Sequence, residues 1–284
     1  MHLWKFLTAS LLASVATSVC TATTVSGKYY DRIVIVVLEN QDYKDCIADP
    51  YFSKIAEKHN GVVLSNFFAL THPSQPNYVG LISGSFDGID ADNDSDVDRK
   101  SIVDLLEAKG ISWKAYQEAY PGGCYTGTKS GTYRRKHNPF ISFTNISGNS
   151  TRCANIVPAT QLDTDISKNA VPQFVFYTPN MNNDGHDTTL EYSSDWFKGW
   201  LEPRVDNPAF NNNTLFILTW DEDKTYSIPN QILTVLFGPA VNRSASTDNT
   251  KYDLYSILKS VEENWDLGNL GEADVDAVPL IVKD

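Results

Sequence analysis

The chain has 284 residues, 42% hydrophobic and 12% aromatic, enough to bury one sizeable core. A formal net charge of −12 excludes a polyanion-binding surface, which needs clustered Lys and Arg, so nucleic acid is not a bulk partner. A length of this order suits one α/β domain.

Residues 1–22 read as a secretory leader, with Lys5 as the positive start, an apolar run from Phe6 to Ala16, and small residues after it. Cleavage after Ala16, Ser18 or Ala22 fits equally, and the predicted domain is residues 23–284. No second long apolar run follows. The end, Leu280-Ile281-Val282-Lys283-Asp284, lacks the hydrophobic tail of a lipid-anchor signal. A soluble, exported protein without integral membrane association is expected. Asn93, Asn145, Asn149, Asn212 and Asn242 each open an Asn-X-Ser/Thr sequon, which adds the expectation of glycosylation. Of the four cysteines, Cys20 can leave with the leader, which lets Cys124 and Cys153 pair and leaves Cys46 free or bridged to a retained Cys20.

Arg32 to Leu38 is a β-branched run of the kind that forms a central strand buried on both faces, and it ends abruptly in Glu39-Asn40. Residues 50–60 read as helical and 61–68 as extended. In Thr71-His72-Pro73-Ser74-Gln75-Pro76-Asn77-Tyr78, Pro73 biases His72 away from helical geometry and Pro76 is tolerated only in a first turn. A helix therefore opens here and runs through Ile82, with Ser74 at or next to its N-terminus. A serine there is a cap, or a nucleophile or anion-binding hydroxyl. Further expectations are a helix over 102–109 stopped by Gly110, strands over 112–116, 173–177, 214–220 and 231–237, and a closing helix over 252–265 with Leu254, Ile257, Leu258 and Val261 on one face. The polar stretch 122–154 reads as loop. Its Arg134-Arg135-Lys136 run is either solvated or part of an anionic-substrate pocket. Asp90 to Asp98 is acidic but fails the calcium-loop template, with Ser95 and Ser101 where Gly and Glu are needed, and reads as a solvated surface loop.

Strands alternating with helices predict a three-layer α/β sandwich around a mostly parallel sheet, whose sites lie beyond the carboxyl ends of the strands. Three strands end in polar clusters: Glu39-Asn40, Asn180 to Asp187, and Asp221-Glu222-Asp223. Carboxylates and an amide at one edge suit a hard or borderline divalent cation, beside which a hydroxyl could attack phosphorus. No Gly-x-Ser-x-Gly elbow, Walker loop or Gly-x-Gly-x-x-Gly fingerprint offers another device.

The segments 37–43, 71–84, 135–140, 180–187 and 219–222, in this order, resemble the phosphoesterase family, which joins bacterial phospholipases C with secreted acid phosphatases inside the alkaline phosphatase-like superfamily. The likeness is strongest to its small fungal acid phosphatases. The resemblance implies that Glu39, Asn40, Asp221 and Glu222 hold a divalent metal ion, with Ser74 as ligand and nucleophile. It implies further that His186 binds the phosphoryl group or protonates the leaving group, that His72 and His137 line the pocket, and that Asn77, Lys136, His137 and His186 meet the substrate. Phospholipase relatives continue after Asp-Glu with His-Gly-Gly, whereas here Asp223-Lys224-Thr225-Tyr226 follows, and they carry a C-terminal extension this chain lacks. Both departures favour a phosphomonoesterase with a phosphoserine intermediate acting on small phosphate esters. A phosphodiesterase or phospholipase C with the same site is the nearest alternative, and a binding glycoprotein without turnover the one from another class.

Overall fold

In the computed structural model, residues 24–226 and 228–284 are described; the leader-like segment 1–22, including Cys20, lies outside them. The run Arg32–Leu38 forms β1, buried at every position after Arg32, because its neighbours on both sides and helices on its faces leave no room for a polar side chain. The remaining strands of its sheet are β2 (Val62–Leu64), β3 (Trp113–Gln117), β4 (Ile156–Pro158), β5 (Phe174–Thr178), β6 (Thr214–Trp220), β7 (Thr234–Phe237) and β8 (Thr247–Asp248). Their order is β8-β2-β7-β6-β1-β5-β3-β4. All neighbours run parallel except β7, which is antiparallel to both β6 and β2. The expected mostly parallel sheet is therefore present.

The helix expected at the Pro-bracketed turn is α1 (Ser74–Ser83), buried along its whole length. Pro73 takes the extended cap position, so Ser74 is the first helical residue, and its hydroxyl donates to carboxylates beyond the helix. Pro76 still falls in the first turn, where its missing N–H costs nothing. Gly84, at φ +75°, closes the helix in the left-handed conformation that glycine tolerates. Next come α2 (Ile102–Ala108), begun by a capping box from Ser101 and Asp104, and α3 (Gln161–Ser167). Then come α4 (Leu190–Leu201) and α5 (Leu254–Asn264). The four apolar residues of α5 are all buried, each worth roughly 1.5–3 kcal/mol by area. Helix α5 packs on both α1 and α2, while Phe197 of α4 meets Phe52, which in turn meets Trp220 of β6.

Several elements differ from expectation. Strands β4 and β8 and helices α3 and α4 were not anticipated; the strands are too short to show a period, and α4 mixes polar residues with its Trp196-Phe197-Trp200 face. The stretch 122–154 holds three one-turn helices, at Pro139–Ser142, Thr144–Ser147 and Ser150–Cys153, and the Cys124–Cys153 disulfide ties its ends together. Cys46 is buried and free.

Candidate active site

The register of the two central strands decides which polar ends meet. Leu38 pairs with Trp220, so the residues that follow, Glu39 and Asp221, emerge side by side at the carboxyl edge. The Asp221 N–H donates to the Leu38 carbonyl (3.1 Å), and the Glu39 N–H donates to the Asp184 carbonyl in the loop after β5 (3.0 Å). All three polar strand ends thus meet. Asn40 turns the chain with φ +33°, a region asparagine enters more readily than most residues. That turn lets its N–H donate to Asp221 Oδ1 (3.2 Å) and its Nδ2 to Glu222 Oε1 (3.3 Å).

Helix α1 delivers Ser74 into this edge. Its hydroxyl donates to Glu222 Oε1 (3.0 Å) or Glu39 Oε2 (3.2 Å), and is buried. One turn on, the Tyr78 hydroxyl donates to Glu39 Oε1 (2.7 Å), and its ring stacks on His137 at 5.2 Å. His137 Nε2 lies 3.1 Å from Glu39 Oε1 without an aligned hydrogen bond, and Nδ1 lies 3.5 Å from Asp184 Oδ2. His72 Nδ1 bonds Glu222 Oε2, and its ring lies 4.2 Å from that of Tyr226, stacked. His186 stands at the mouth, partly exposed, with Nδ1 2.8 Å from Asp187 Oδ1 and its N–H on Asp184 Oδ1 (2.8 Å). Gly185, at φ +98°, permits that reversal.

The electrostatics are strained in one direction. Burial, and then Asp221 and Asp184, hold the Glu39 carboxyl well above the usual range. Burial and then Glu222 push Asp221 up to about 7. Burial outweighs the Ser74 hydrogen bond and pushes Glu222 up to about 7 as well. Burial likewise raises Asp184. His137 is depressed, first by burial and then by Lys136, and is neutral at pH 7. Lys136 is the ammonium among them: burial works against its charge, but Glu39, Asp92 and Asp221 outweigh burial and raise it.

The buried atoms left without a hydrogen-bond partner include Asn40 Oδ1, Asp221 Oδ2 and Asp184 Oδ2. These are acceptors, and mutually repelling carboxylates around unpaired acceptor oxygens fit a hard cation. Among the described residues no three His, Cys, Asp or Glu side chains converge closely enough to form a ready cage. A cation here would need Asn40 and Ser74 as well as the carboxylates.

Asn77, expected at the substrate, is bonded in this structure to the turn that carries Ser74. Its Oδ1 accepts from Leu70 and Thr71 N–H and its Nδ2 donates to the Thr71 and Pro73 carbonyls, so it braces the turn that carries Ser74. The Arg134–Lys136 run divides: Arg135 is buried on Asp96, Lys136 enters the site, and Arg134 bonds nearby carbonyls. The acidic loop is not simply solvated. Asp92 and Asp96 are anchored by Lys136 and Arg135, cations more than a secondary-structure element away in the chain. Tyr78 carries no expected role from the sequence, although its position four residues after Ser74 on a helix is a signal for it, and Asp184 lies within the predicted polar cluster at 180–187 without a role of its own.

A family model for the phosphoesterase family matches residues 48–268. A probable acid phosphatase of Kluyveromyces lactis is 42% identical over 89% of this chain, and a phosphatidylinositol-3-phosphatase of Mycobacterium tuberculosis is 31% identical over 86% of this chain and 80% of its own length. The chain spans 62% of the length of the yeast relative. A solved structure of a protein in the alkaline phosphatase superfamily from Vibrio parahaemolyticus shares the fold at a TM-score of 0.58, with 12% identity, over 92% of this chain and 72% of that one.

Proposed function

The chain belongs to the phosphoesterase family, and from that premise we propose that it is a metal-dependent acid phosphatase that cleaves small phosphate monoesters through Ser74. The observation that carries this reading is the Ser74 hydroxyl, buried with carboxylate oxygens at 3.0 and 3.2 Å and placed at the first residue of a helix. Glu39, Asn40, Asp221, Glu222 and Ser74 itself would hold a divalent cation, whose chemistry when bound is to neutralise phosphoryl charge and favour the alkoxide. The Ser74 proton has acceptors in reach on Glu39 and Glu222. Its oxygen then forms the bond to phosphorus as the ester oxygen leaves, and water later cleaves the phosphoserine. Lys136 is placed to bind phosphoryl oxygens. His186, exposed at the mouth, is placed to protonate the leaving oxygen, while neutral His137 backs Glu39 and His72 holds Glu222.

We extend the proposal to export and glycosylation. The disulfide supports an oxidising destination, and Asn93, Asn149, Asn212 and Asn242 are exposed. Asn145 suits a glycan less, because its Nδ2 is engaged by Asp104. No described helix is long and apolar enough to cross a membrane.

A panel of a monoester, a diester and a phospholipid, assayed with and without chelator, tests the activity. Chelator-sensitive turnover of the monoester is expected, and turnover of the diester or phospholipid alone would overturn the monoesterase assignment. Elemental analysis of Asp221→Ala and Glu39→Ala tests the cation, with metal lost from both; full metal content in both would remove these residues from the ligand set.

A further inference from the structure

Asp92 belongs to the acidic loop that the mechanism above does not use. Its Oδ1 accepts the N–H of Gln75, the residue after the nucleophile, at 2.9 Å, and its Oδ2 accepts from Lys136 Nζ at 2.8 Å. The next residue secures this placement, since the Asn93 N–H donates to Gln75 Oε1 at 2.7 Å. Pro76 has no N–H, so the Gln75 N–H is the donor on the leading turn of α1 that lies just beyond Ser74. One carboxylate therefore bridges two donors beside the attacking oxygen. The pair consists of a backbone N–H and an ammonium, the combination by which proteins hold phosphoryl oxygens.

We propose that Asp92 is a built-in stand-in for the phosphoryl group: in the resting protein it occupies the Gln75 N–H and Lys136, and a phosphate ester takes both donors by displacing it. The inference rests on the phosphatase reading for its ligand. A phosphoryl dianion brings more charge and more acceptor oxygens to the two donors than a carboxylate does, so the exchange favours substrate. The displaced Asp92 returns to water, since its side chain is already partly exposed. Asp92 is a positioning residue here: it keeps Lys136 and the start of α1 in order while no substrate is bound, and sets a threshold that weakly charged esters do not cross. The plain alternative is a helix cap that substrate never disturbs.

Asp92→Asn separates the two, because asparagine caps as well as aspartate but is a poor partner for an ammonium. The expected result is binding of inorganic phosphate tighter by about tenfold in calorimetry, with KM for a monoester lowered to match and kcat within about twofold. Asp90→Asn, an exposed change of equal charge in the same loop, controls for the general field and should leave both constants within about twofold of the parent. Phosphate affinity unchanged or weakened in Asp92→Asn, or strengthened equally in Asp90→Asn, would overturn the proposal. Failure of the phosphatase reading would look different: the parent would turn over no phosphate ester, while the calorimetric comparison would still report whether Asp92 and phosphate compete.

Discussion

A lone buried carboxylate and a buried cluster of them lie against the same sheet and behave in opposite ways. Beside β3, Asp165 accepts from Lys114 Nζ (2.5 Å), the Tyr116 hydroxyl (2.6 Å) and Gln161 Nε2 (2.9 Å). Burial alone would raise it, but these three donors hold it below the usual carboxylate range. At the β1–β6 edge, Asp221 and Glu222 are as deeply buried but stand beside other carboxylates, and burial together with those neighbours pushes both up to about 7. Burial is common to both, so the charge of the neighbours separates them: a bonded ammonium keeps Asp165 low, while adjacent carboxylates disfavour ionisation of Asp221 and Glu222.

The largest test of that distinction is Ser74→Ala. If the hydroxyl is a nucleophile held by the carboxylate cluster, turnover should fall by more than about 10³-fold while the melting temperature barely moves. Rapid acid quench with a labelled ester should trap phosphate on Ser74 in the parent. Substantial turnover in a folded, metal-loaded variant would return Ser74 to the role of a helix-start residue. His186→Ala comes next: a loss of roughly 10²–10⁴-fold is expected for alkyl phosphates, and much less for aryl phosphates, whose leaving groups need no proton. Equal losses on both would make His186 a binding or structural residue.

The smallest effects separate the two cases directly. Raised folded values mean that ionising Asp221 and Glu222 costs stability, so the metal-free protein should weaken as pH climbs from about 4, the unfolded range, through about 7. Asp221→Asn should then be more stable than the metal-free parent at pH 8, with the difference shrinking toward pH 5. The depressed Asp165 works the other way, contributing stability above its unfolded value and losing it only as pH falls through the folded one. Asp165→Asn should cost roughly 1–3 kcal/mol at pH 7, by stranding Lys114. Urea unfolding of both variants in chelator at pH 5 and pH 8 measures this. Matching destabilisation of the two variants at pH 8 would erase the contrast.

Much of the site was legible because it sits where chain pattern changes abruptly. A β-branched run ending in Glu39-Asn40, another ending in Asp221-Glu222, and Ser74 between two prolines are local signals, and parallel topology supplies the rule that joins them. The fold class followed from the same alternation. What stayed hidden depends on partners that only the folded chain brings together. The loop carbonyls and N–H groups that Asn77 braces are not visible in the sequence, and Asp92 looks solvated until Lys136 meets it. Helix α4 was missed because its polar residues mask a buried aromatic stripe that finds its partners in Phe52 and Tyr177.

The pairing of Arg32 with Thr214 and of Leu38 with Trp220 has a consequence for how the protein comes into being. The two halves of the carboxylate edge lie more than 180 residues apart in the chain, so no fragment that stops short of residue 222 contains both, and synthesis must run past that point before they can meet. Closing so long a loop is entropically costly and slow compared with forming a locally capped helix such as α5, which Asp253 and Ser256 begin with a capping box. Helix α5 can therefore form early in folding, whereas Glu39 and Asp221 come together only when the pairing of β1 with β6 closes.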